Sequence, residues 1–462
     1  MSDRLAQSIV TTATPALTIH VHDAARHEAW LGEQSEQHRH WLATTGFEPK
    51  AGNVALLPGA HGKLAGAVAI LGDDASLWDA AKLRGSLPPG TWTLSDPGGL
   101  LPVGEAVLGW SLAAYRFDRY TKAKDDEPRR LLVEAGDAVA RGQRSAEAMA
   151  LARDLVNTPA NDLGPAELDE AVAAAAARFG ASHRSIVGAA LLEQGYPIIH
   201  AVGRASTREP RLIELLWGAT DAPKLTLVGK GVCFDTGGLD IKPSSNMLLM
   251  KKDMGGAAVM LALAQAVMAG GLHVRLRLLI PAVENSISGS AFRPGDILRT
   301  RKGLTVEIGN TDAEGRLILA DALTEADQEG PALLLDAATL TGAARVAVGP
   351  DLPALFTPDD ALATELLAVG TEVHDPLWRL PLHKGYARYL ESSVADLNNT
   401  GSKPFAGAST AALFLERFVT ETKAWAHLDI FGWNDESRPG RPRGGEAIAF
   451  RALHALIERR FA

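Results

Sequence analysis

The sequence is poor in cysteine and lacks the short motifs of several common enzyme classes. Cys233 is the single cysteine in 462 residues, which excludes an intrachain disulfide and a zinc site built from several thiolates. The patterns H-E-x-x-H, G-x-x-x-x-G-K-[ST], G-x-G-x-x-G and G-x-S-x-G are absent. Zincin, P-loop, dinucleotide-binding and serine-hydrolase functions therefore have no basis in this sequence.

An excess of basic charge and long apolar runs are missing as well. Lys and Arg total 46 against 55 Asp and Glu, which gives a net charge of -9, and the basic residues are scattered along the chain. Nucleic-acid binding needs a basic stripe, so we expect no nucleic-acid partner. No uncharged apolar run reaches about 18 residues, and the N-terminal segment does not resemble a signal peptide. We therefore expect a cytoplasmic protein with no membrane partner.

Length and composition predict two globular α/β domains. A content of 46% hydrophobic and 22% charged residues is typical of a globular protein. A chain of this length exceeds what one hydrophobic core normally supports. We place a smaller N-terminal α/β domain at residues 1–140 and a larger C-terminal α/β domain at residues 141–462.

The C-terminal domain alternates predicted strands with predicted helices. Continuous apolar strands such as RLRLLI and ALLLD are typical of a central sheet that helices cover on both faces. Three predicted strands, at 225–228, 304–308 and 332–335, are followed by Lys230, Asp312 and Thr339, respectively. In such sheets, sites gather at the carboxyl ends of strands. The sequence therefore predicts that one crevice collects these three residues.

Two segments concentrate the ionisable side chains of this domain. They read VGKGVCFDTGGLDIKPSSNMLLMKKDMGG and NTDAEGRL. From them we single out two lysines, four acidic residues and one arginine as candidate site residues: Lys230, Asp235, Lys242, Asp253, Asp312, Glu314 and Arg316. Carboxylates gathered at one place repel each other unless cations lie among them, so this group predicts a site for hard metal ions. The lysines and the arginine alongside indicate catalysis rather than metal storage.

Both segments resemble, in residue type and in mutual spacing, the signature of the leucyl aminopeptidases, the dinuclear M17 metallopeptidase family. Further agreement runs through ARDLVNTPAND, RPGDILRT, DAATLTGA, AGASTAALFLERF and WAHLDI, so the resemblance covers residues 110–430. It implies an N-terminal α/β domain and a C-terminal catalytic metallopeptidase domain. It also implies a homohexamer that acts on peptides with a free N-terminus.

The resemblance implies a ligand set for two divalent ions per subunit. Asp235 and Glu314 would bridge the ions, Asp312 would complete one site, and Lys230 with Asp253 would complete the other. Oxygen ligands suit several divalent ions, and we expect Mn or Zn. Two bound dications would activate a water and polarise the scissile carbonyl.

The resemblance also implies roles for three side chains in peptide hydrolysis. Lys242 would stabilise the negative charge that develops on the tetrahedral oxygen. Arg316 would hold a bicarbonate ion that acts as general base. Because the free α-amine of the substrate would bind a metal and Asp253, only a chain terminus fits, which makes the enzyme an exopeptidase.

The resemblance also implies residues of the substrate pocket, although two positions differ from the family pattern. Met250, Thr339 and Gly342 match family positions that line the pocket for the first side chain of the substrate, so we expect a leucine-like preference. After WAHLDI, typical members have a small residue followed by Gly-Thr-Ala, whereas this chain has Phe431 and Trp433. These two bulky residues either narrow the pocket or pack behind it.

Two alternatives to an active aminopeptidase arise from the same resemblance. Some bacterial relatives act in transcription or recombination, which suggests a DNA-binding or regulatory paralogue with weak or no peptidase activity. No helix-turn-helix with a basic recognition helix stands out, and the sequence pI is about 5.8. A catalytically silent paralogue is the second alternative, and the retention of all seven polar residues argues against it.

Overall fold

The computed structural model describes residues 3–122 and 127–461, which form two compact units. Unit 1 consists of Met1–Ala150 with Glu436–Arg443, and unit 2 consists of Leu151–Asp435 with Gly444–Ala462. Each unit contains its own β-sheet together with helices. The smaller N-terminal and larger C-terminal α/β domains expected from the sequence are therefore confirmed.

Unit 1 is built on one six-stranded sheet. Its strands are β1 (Ile9–Val10), β2 (Leu17–His22), β3 (Val54–Pro58), β4 (Leu64–Ile70), β5 (Gly90–Ser95) and β6 (Arg129–Leu132). They lie in the order β1-β6-β5-β2-β4-β3, with β3 antiparallel to β4 and the other pairs parallel. Ile19, Trp92 and Trp110 are completely or almost completely buried in the core of this unit.

Six helices belong to the first part of the chain. They are α1 (Asp3–Ala6), α2 (His27–Gly32), α3 (Glu36–Thr44), α4 (Leu77–Ser86), α5 (Val103–Ala114) and α6 (Asp137–Asn157). α4 begins with a capping box, in which Ser76 and Asp79 satisfy each other's backbone N–H groups. The domain boundary that we placed after residue 140 lies inside α6, which continues past Ala150 into unit 2.

Unit 2 contains fourteen strands of the described chain, nine of them in one sheet. The strands are β7 (Ser182–Val187), β8 (Arg211–Trp217), β9 (Lys224–Gly229), β10 (Gly231–Asp235), β11 (Arg275–Asn285), β12 (Ile297–Arg299), β13 (Thr305–Glu307), β14 (Leu333–Ala338), β15 (Ala354–Phe356), β16 (Trp378–Arg379), β17 (Leu397–Asn398), β18 (Trp425–Asp429), β19 (Trp433–Asn434) and β20 (Gly444–Gly445). The large sheet has the order β16-β15-β18-β14-β9-β11-β8-β7, and β10 pairs with β11.

The centre of this large sheet is parallel and buried on both faces. β18, β14, β9 and β11 pair in parallel, as does β10 with the end of β11. Every residue of β14 is buried, and successive side chains of a strand point to opposite faces. Both faces of β14 are therefore covered, as the continuous apolar strands predicted.

Ten α-helices begin within the described residues of unit 2. They are α7 (Pro165–Phe179), α8 (Ala190–Glu193), α9 (Pro197–Gly203), α10 (Ser244–Met247), α11 (Gly255–Gly270), α12 (Glu314–Gln328), α13 (Gly342–Val348), α14 (Asp360–Glu372), α15 (Gly407–Glu416) and α16 (Phe450–Phe461). α11 packs against β9 and β14, and α12 packs against β9 and β11. A single segment of the described residues, Met250–Gly270, is long and apolar enough to cross a membrane, and 89% of it is buried inside the fold. This burial is typical of a core helix.

The carboxyl ends of the parallel strands meet at one edge of the sheet. Lys230 follows β9 directly, Thr339 follows β14 directly, and Asp235 is the last residue of β10. The strand before Asp312, β13, does not belong to this sheet. It forms a separate three-stranded sheet with β12 and β17. Asp312 therefore reaches this edge through the turn before α12.

Candidate metal centre and active-site cavity

Three acidic side chains of unit 2 bring their carboxylates together. Asp235, Asp312 and Glu314 each offer an oxygen within 4.8 Å of the others. Asp253 joins them through Lys230, whose Nζ lies 2.7 Å from Asp253 Oδ2 and 3.0 Å from Glu314 Oε1. The four acidic residues expected from the sequence to bind metal thus surround one point.

Asp235 is held by backbone and side-chain donors. β10 and β11 pair in parallel so that Asp235 lies beside Asn285. Asn285 Nδ2 donates to Asp235 Oδ1 at 2.9 Å, and the Gly237 N–H donates to the same oxygen at 2.8 Å. Gly237 has φ +88°, and a Cβ there would lie 2.5 Å from the Asp240 carbonyl oxygen. The turn after Asp235 therefore requires glycine at this position.

The turn that carries Asp312 is fixed by a residue distant in sequence. Asn399 follows β17, which pairs with β13. Its side-chain oxygen accepts from the Gly309 N–H at 2.8 Å, and its side-chain nitrogen donates to the Asn310 carbonyl at 2.7 Å. Asp240 accepts from the Thr311 N–H at 2.7 Å. Neither Asn399 nor Asp240 was singled out from the sequence, because their partners become neighbours only in the fold.

Two ammonium groups lie among the carboxylates. Lys230 is almost fully buried and donates to the Thr339 carbonyl at 3.0 Å, in addition to its two carboxylate contacts. Lys242 Nζ lies 2.8 Å from Asp235 Oδ2 and 2.5 Å from Asp312 Oδ1. Burial acts to lower the pKa of both lysines, but the surrounding carboxylates outweigh it and raise the pKa of each.

The four acidic side chains outnumber the two lysines, and their pKa values show the effect. Burial, together with the neighbouring Asp235 carboxylate, raises the pKa of Glu314 to about 8 and that of Asp312 to about 6. Burial also raises the pKa of Asp253. Such shifts mean that the ionised forms are unfavourable in the protein alone, and additional cations would stabilise them.

The residues of this centre fit divalent metal ions. Glu314 Oε2 is buried and has no hydrogen-bond partner among the described residues. A buried carboxylate oxygen without a partner is costly, and a metal ion would satisfy it. The donors are carboxylate oxygens with one amine nitrogen, which suits hard or borderline divalent cations.

Arg316 lies at the wall of the same cavity with an unused donor. Its Nη1 donates to the Asn399 carbonyl at 2.8 Å, while its buried Nε has no hydrogen-bond partner among the described residues. Burial lowers the pKa of Arg316 to about 10. The guanidinium therefore remains charged at neutral pH and has capacity for a small anion.

A cavity of about 440 Å³ contains this centre. All ten residues expected from the sequence line it: Lys230, Asp235, Lys242, Met250, Asp253, Asp312, Glu314, Arg316, Thr339 and Gly342. Phe431 also lines the cavity, whereas Trp433 is buried and is not among the lining residues. Of the two bulky residues, Phe431 therefore borders the pocket and Trp433 packs behind it.

Two further cations of the cavity wall were missed from the sequence. Lys252 and Arg345 both line the cavity, and both face the ring of Phe431. Burial, which outweighs the attraction of the Asp253 carboxylate, lowers the pKa of Lys252 to about 8. The sequence pattern pointed to neither residue, because Lys252 lies beside Lys251 in the first signature segment and Arg345 lies far along the chain in α13.

Comparison with known proteins identifies the family. Residues 150–454 match the catalytic domain of the cytosol aminopeptidase family, and residues 17–133 match the M17 aminopeptidase N-terminal domain. The chain belongs to the M17 cytosol aminopeptidase family. It is accordingly a metallo-exopeptidase, a hydrolase, and the family resemblance inferred from its two signature segments is confirmed. The DNA-binding alternative is not favoured, because both matched family models describe domains of aminopeptidases.

Individual relatives agree with this assignment over most of the chain. A probable cytosol aminopeptidase from Syntrophotalea carbinolica is 42% identical over an alignment of 386 residues, and the match covers 79% of this chain and 77% of the relative. One from Roseiflexus castenholzii is 44% identical over an alignment of 363 residues, and the match covers 75% of this chain and 74% of the relative.

Solved structures show the same fold. The crystal structure of cytosol aminopeptidase from Coxiella burnetii has a TM-score of 0.93 and 46% identity, and it covers 98% of this chain and 100% of its own. The bottromycin maturation enzyme BotP in complex with Mn has a TM-score of 0.84 and 37% identity, with coverage of 96% and 100%.

Proposed function

We propose that this family member releases N-terminal residues from peptides by using two divalent ions per subunit, Mn or Zn. The observation that carries the proposal is the buried carboxylate group with its unpartnered Glu314 oxygen. The Mn complex of a structural relative supports manganese as one of the ions. The residues that would hold the ions are Lys230, Asp235, Asp253, Asp312 and Glu314.

The arrangement of these residues supports the metal-binding roles that the family resemblance implies for each of them. Asp235 and Glu314 lie centrally and would contact both ions, Asp312 would serve one, and Lys230 with Asp253 would serve the other. When bound, such ions supply an activated water and polarise the scissile carbonyl. Lys230 would have to lose its proton to become a ligand, because an ammonium has no lone pair to donate.

Two cations of the chain are assigned to the reaction itself. The Lys242 ammonium is 14% exposed and lies beside Asp312 at the cavity, so it can stabilise negative charge on the carbonyl oxygen of the substrate. The unused Nε of Arg316 supports the binding of a bicarbonate ion, which would accept a proton. Asp253 would pair with the free α-amine of the substrate, and this restricts cleavage to the first residue.

The proposed function also includes a substrate preference, an oligomeric state and a cellular location. Met250, Thr339 and Gly342 line the cavity with Leu340, which supports a pocket for a leucine-sized first side chain. We further propose a homohexamer in the cytoplasm, as the family resemblance implies. Light scattering of the purified protein tests the assembly, and a smaller particle would contradict it.

Removal of metal is expected to abolish activity reversibly. Protein treated with a chelator should lose hydrolysis of an unblocked leucyl anilide and regain it when Mn or Zn is added. The N-acetylated anilide should not be cleaved in any state, because its amine cannot bind the metal or Asp253. The measurement is the absorbance of the released aniline. Comparable turnover of the blocked substrate would rule out the exopeptidase proposal.

Enlarging the cavity at Phe431 is expected to change the ranking of neutral substrates. Phe431→Ala should alter the relative kcat/KM of leucyl, alanyl and phenylalanyl anilides by more than about tenfold, since one or two methylene-sized contacts are worth roughly 1–3 kcal/mol. Trp433→Phe is the matched control, because Trp433 lies outside the cavity lining. An equal change in both variants would show that the effect is structural.

A further inference from the structure

The aromatic ring of Phe431 is faced by two cations inside the cavity. Lys252 Nζ lies 4.5 Å from the centre of the ring, and Arg345 Cζ lies 5.1 Å from it. All three residues line the cavity that contains the metal centre. The negatively polarised face of an aromatic ring attracts such cations, although more weakly than a carboxylate does.

Neither cation has an acidic partner among the described residues. Lys252 is only 5% exposed and has neither an ion pair nor a side-chain hydrogen bond, whereas Arg345 is exposed at the cavity and has no ion pair. The acidic residues that attract Lys252 are Asp253 and Asp429. Asp253 is already bound by Lys230, and Asp429 accepts from Thr341. A largely buried ammonium without a counter-charge is unfavourable, so an anion bound beside Lys252 would stabilise it.

The two cations adjoin the residues proposed to receive the first side chain of the substrate. Lys252 shares the helical turn Met250–Met254 with Met250. Arg345 lies three residues after Gly342 in α13 and thus on the same side of that helix. Phe431 precedes Gly432, where a Cβ would lie 3.4 Å from Thr339 Cγ2.

We propose that Arg345 and Lys252 form a carboxylate-binding end of the pocket for the first side chain, so that the enzyme favours peptides beginning with glutamate over those beginning with glutamine. This inference rests on the proposed aminopeptidase function. The planar guanidinium of Arg345 matches a carboxylate with two parallel hydrogen bonds. Lys252 contributes a third donor from the cavity wall. Phe431 keeps both cations in place by contacting each of them.

A substrate could also bring a carboxylate at its C-terminus, as a dipeptide does. The position beside Met250, Gly342 and Thr339 favours the side chain of the first residue. Aryl anilides distinguish the two sources, because they have no C-terminal carboxylate. Leucyl-leucine and leucyl-leucine amide supply the complementary comparison, in which the first side chain is constant and the C-terminal charge changes.

The test compares glutamyl and glutaminyl anilides, which differ in charge and hardly in shape. With the Mn-loaded full chain, kcat/KM for the glutamyl substrate should exceed that for the glutaminyl substrate by about tenfold or more, the size of one charge-assisted hydrogen bond. Arg345→Met keeps an unbranched, flexible side chain, removes the guanidinium and should reduce this ratio by at least about fivefold. Arg417→Met is the matched control. Arg417 is exposed and follows the end of α15, about 15 Å from Gly407 at the cavity.

The measured ratios distinguish recognition of the first side chain from recognition of the C-terminus. A glutamyl preference that falls in Arg345→Met and persists in Arg417→Met supports the inference. Equal turnover of the two anilides beside normal turnover of leucyl anilide overturns it and leaves the proposed function intact. Discrimination confined to leucyl-leucine over its amide assigns the cations to the C-terminus and also overturns it. Absence of hydrolysis for every unblocked substrate removes both proposals.

Discussion

Glu314→Ala is expected to reduce both bound metal and peptidase activity to near background, whereas Lys242→Ala should reduce activity alone. Glu314 is buried at the centre of the carboxylate group, so its loss removes a ligand proposed to serve both ions. Lys242→Ala removes a positive charge that we propose stabilises the substrate oxygen. Its kcat should fall on the order of 100-fold to 1000-fold, the cost of losing one oxyanion donor, while KM changes much less.

Metal content measured by mass spectrometry, together with steady-state kinetics, separates the two effects. Glu314→Gln is the companion variant, because it keeps the shape of the side chain and removes its charge. It should also lose metal, which would show that the loss in Glu314→Ala is not a packing defect. The role of Lys242 would be misassigned if Lys242→Ala emptied the site or kept near wild-type kcat.

Gly315→Ala is expected to inactivate the enzyme by displacing Lys230, one of the proposed metal ligands. A Cβ at Gly315 would lie 2.5 Å from Cε and 2.6 Å from Nζ of Lys230. Lys230 is buried and tied to Thr339, Asp253 and Glu314, so its side chain cannot move without losing those contacts. We expect activity to fall about 100-fold or more, the effect of misplacing a catalytic group by about 1 Å. Metal affinity should weaken about 10-fold to 100-fold.

A matched glycine in another helix provides the control. Gly270→Ala places its Cβ no closer than 3.7 Å to Leu272, which is ordinary van der Waals contact. Alanine has a higher helix propensity than glycine by about 1 kcal/mol, so neither variant should weaken its helix directly. Metal titration and thermal unfolding of both proteins give the comparison. Equal activity of the two variants would show that Lys230 tolerates displacement.

The local elements of unit 2 were predictable because they depend on near neighbours in the chain. The predicted strand at 225–228 lies within β9, and the strand at 332–335 overlaps β14. Continuous burial of these strands follows from their apolar composition. The strand at 304–308 was also found, as β13, but its membership of a separate sheet was not foreseen. The partner of a strand depends on residues far away in the sequence, so local periodicity does not predict it.

The sequence by itself determined the α/β class, the family and the seven polar residues of the two signature segments, since these depend on residue type and spacing. The tertiary structure alone decided which side chains surround them. Asn399 is 90 residues from the Gly309 N–H that it accepts from. Phe431 borders the cavity while Trp433 does not. Lys252 and Arg345 meet at one ring because a turn, a helix and a strand end converge there, and only long-range packing brings such elements together.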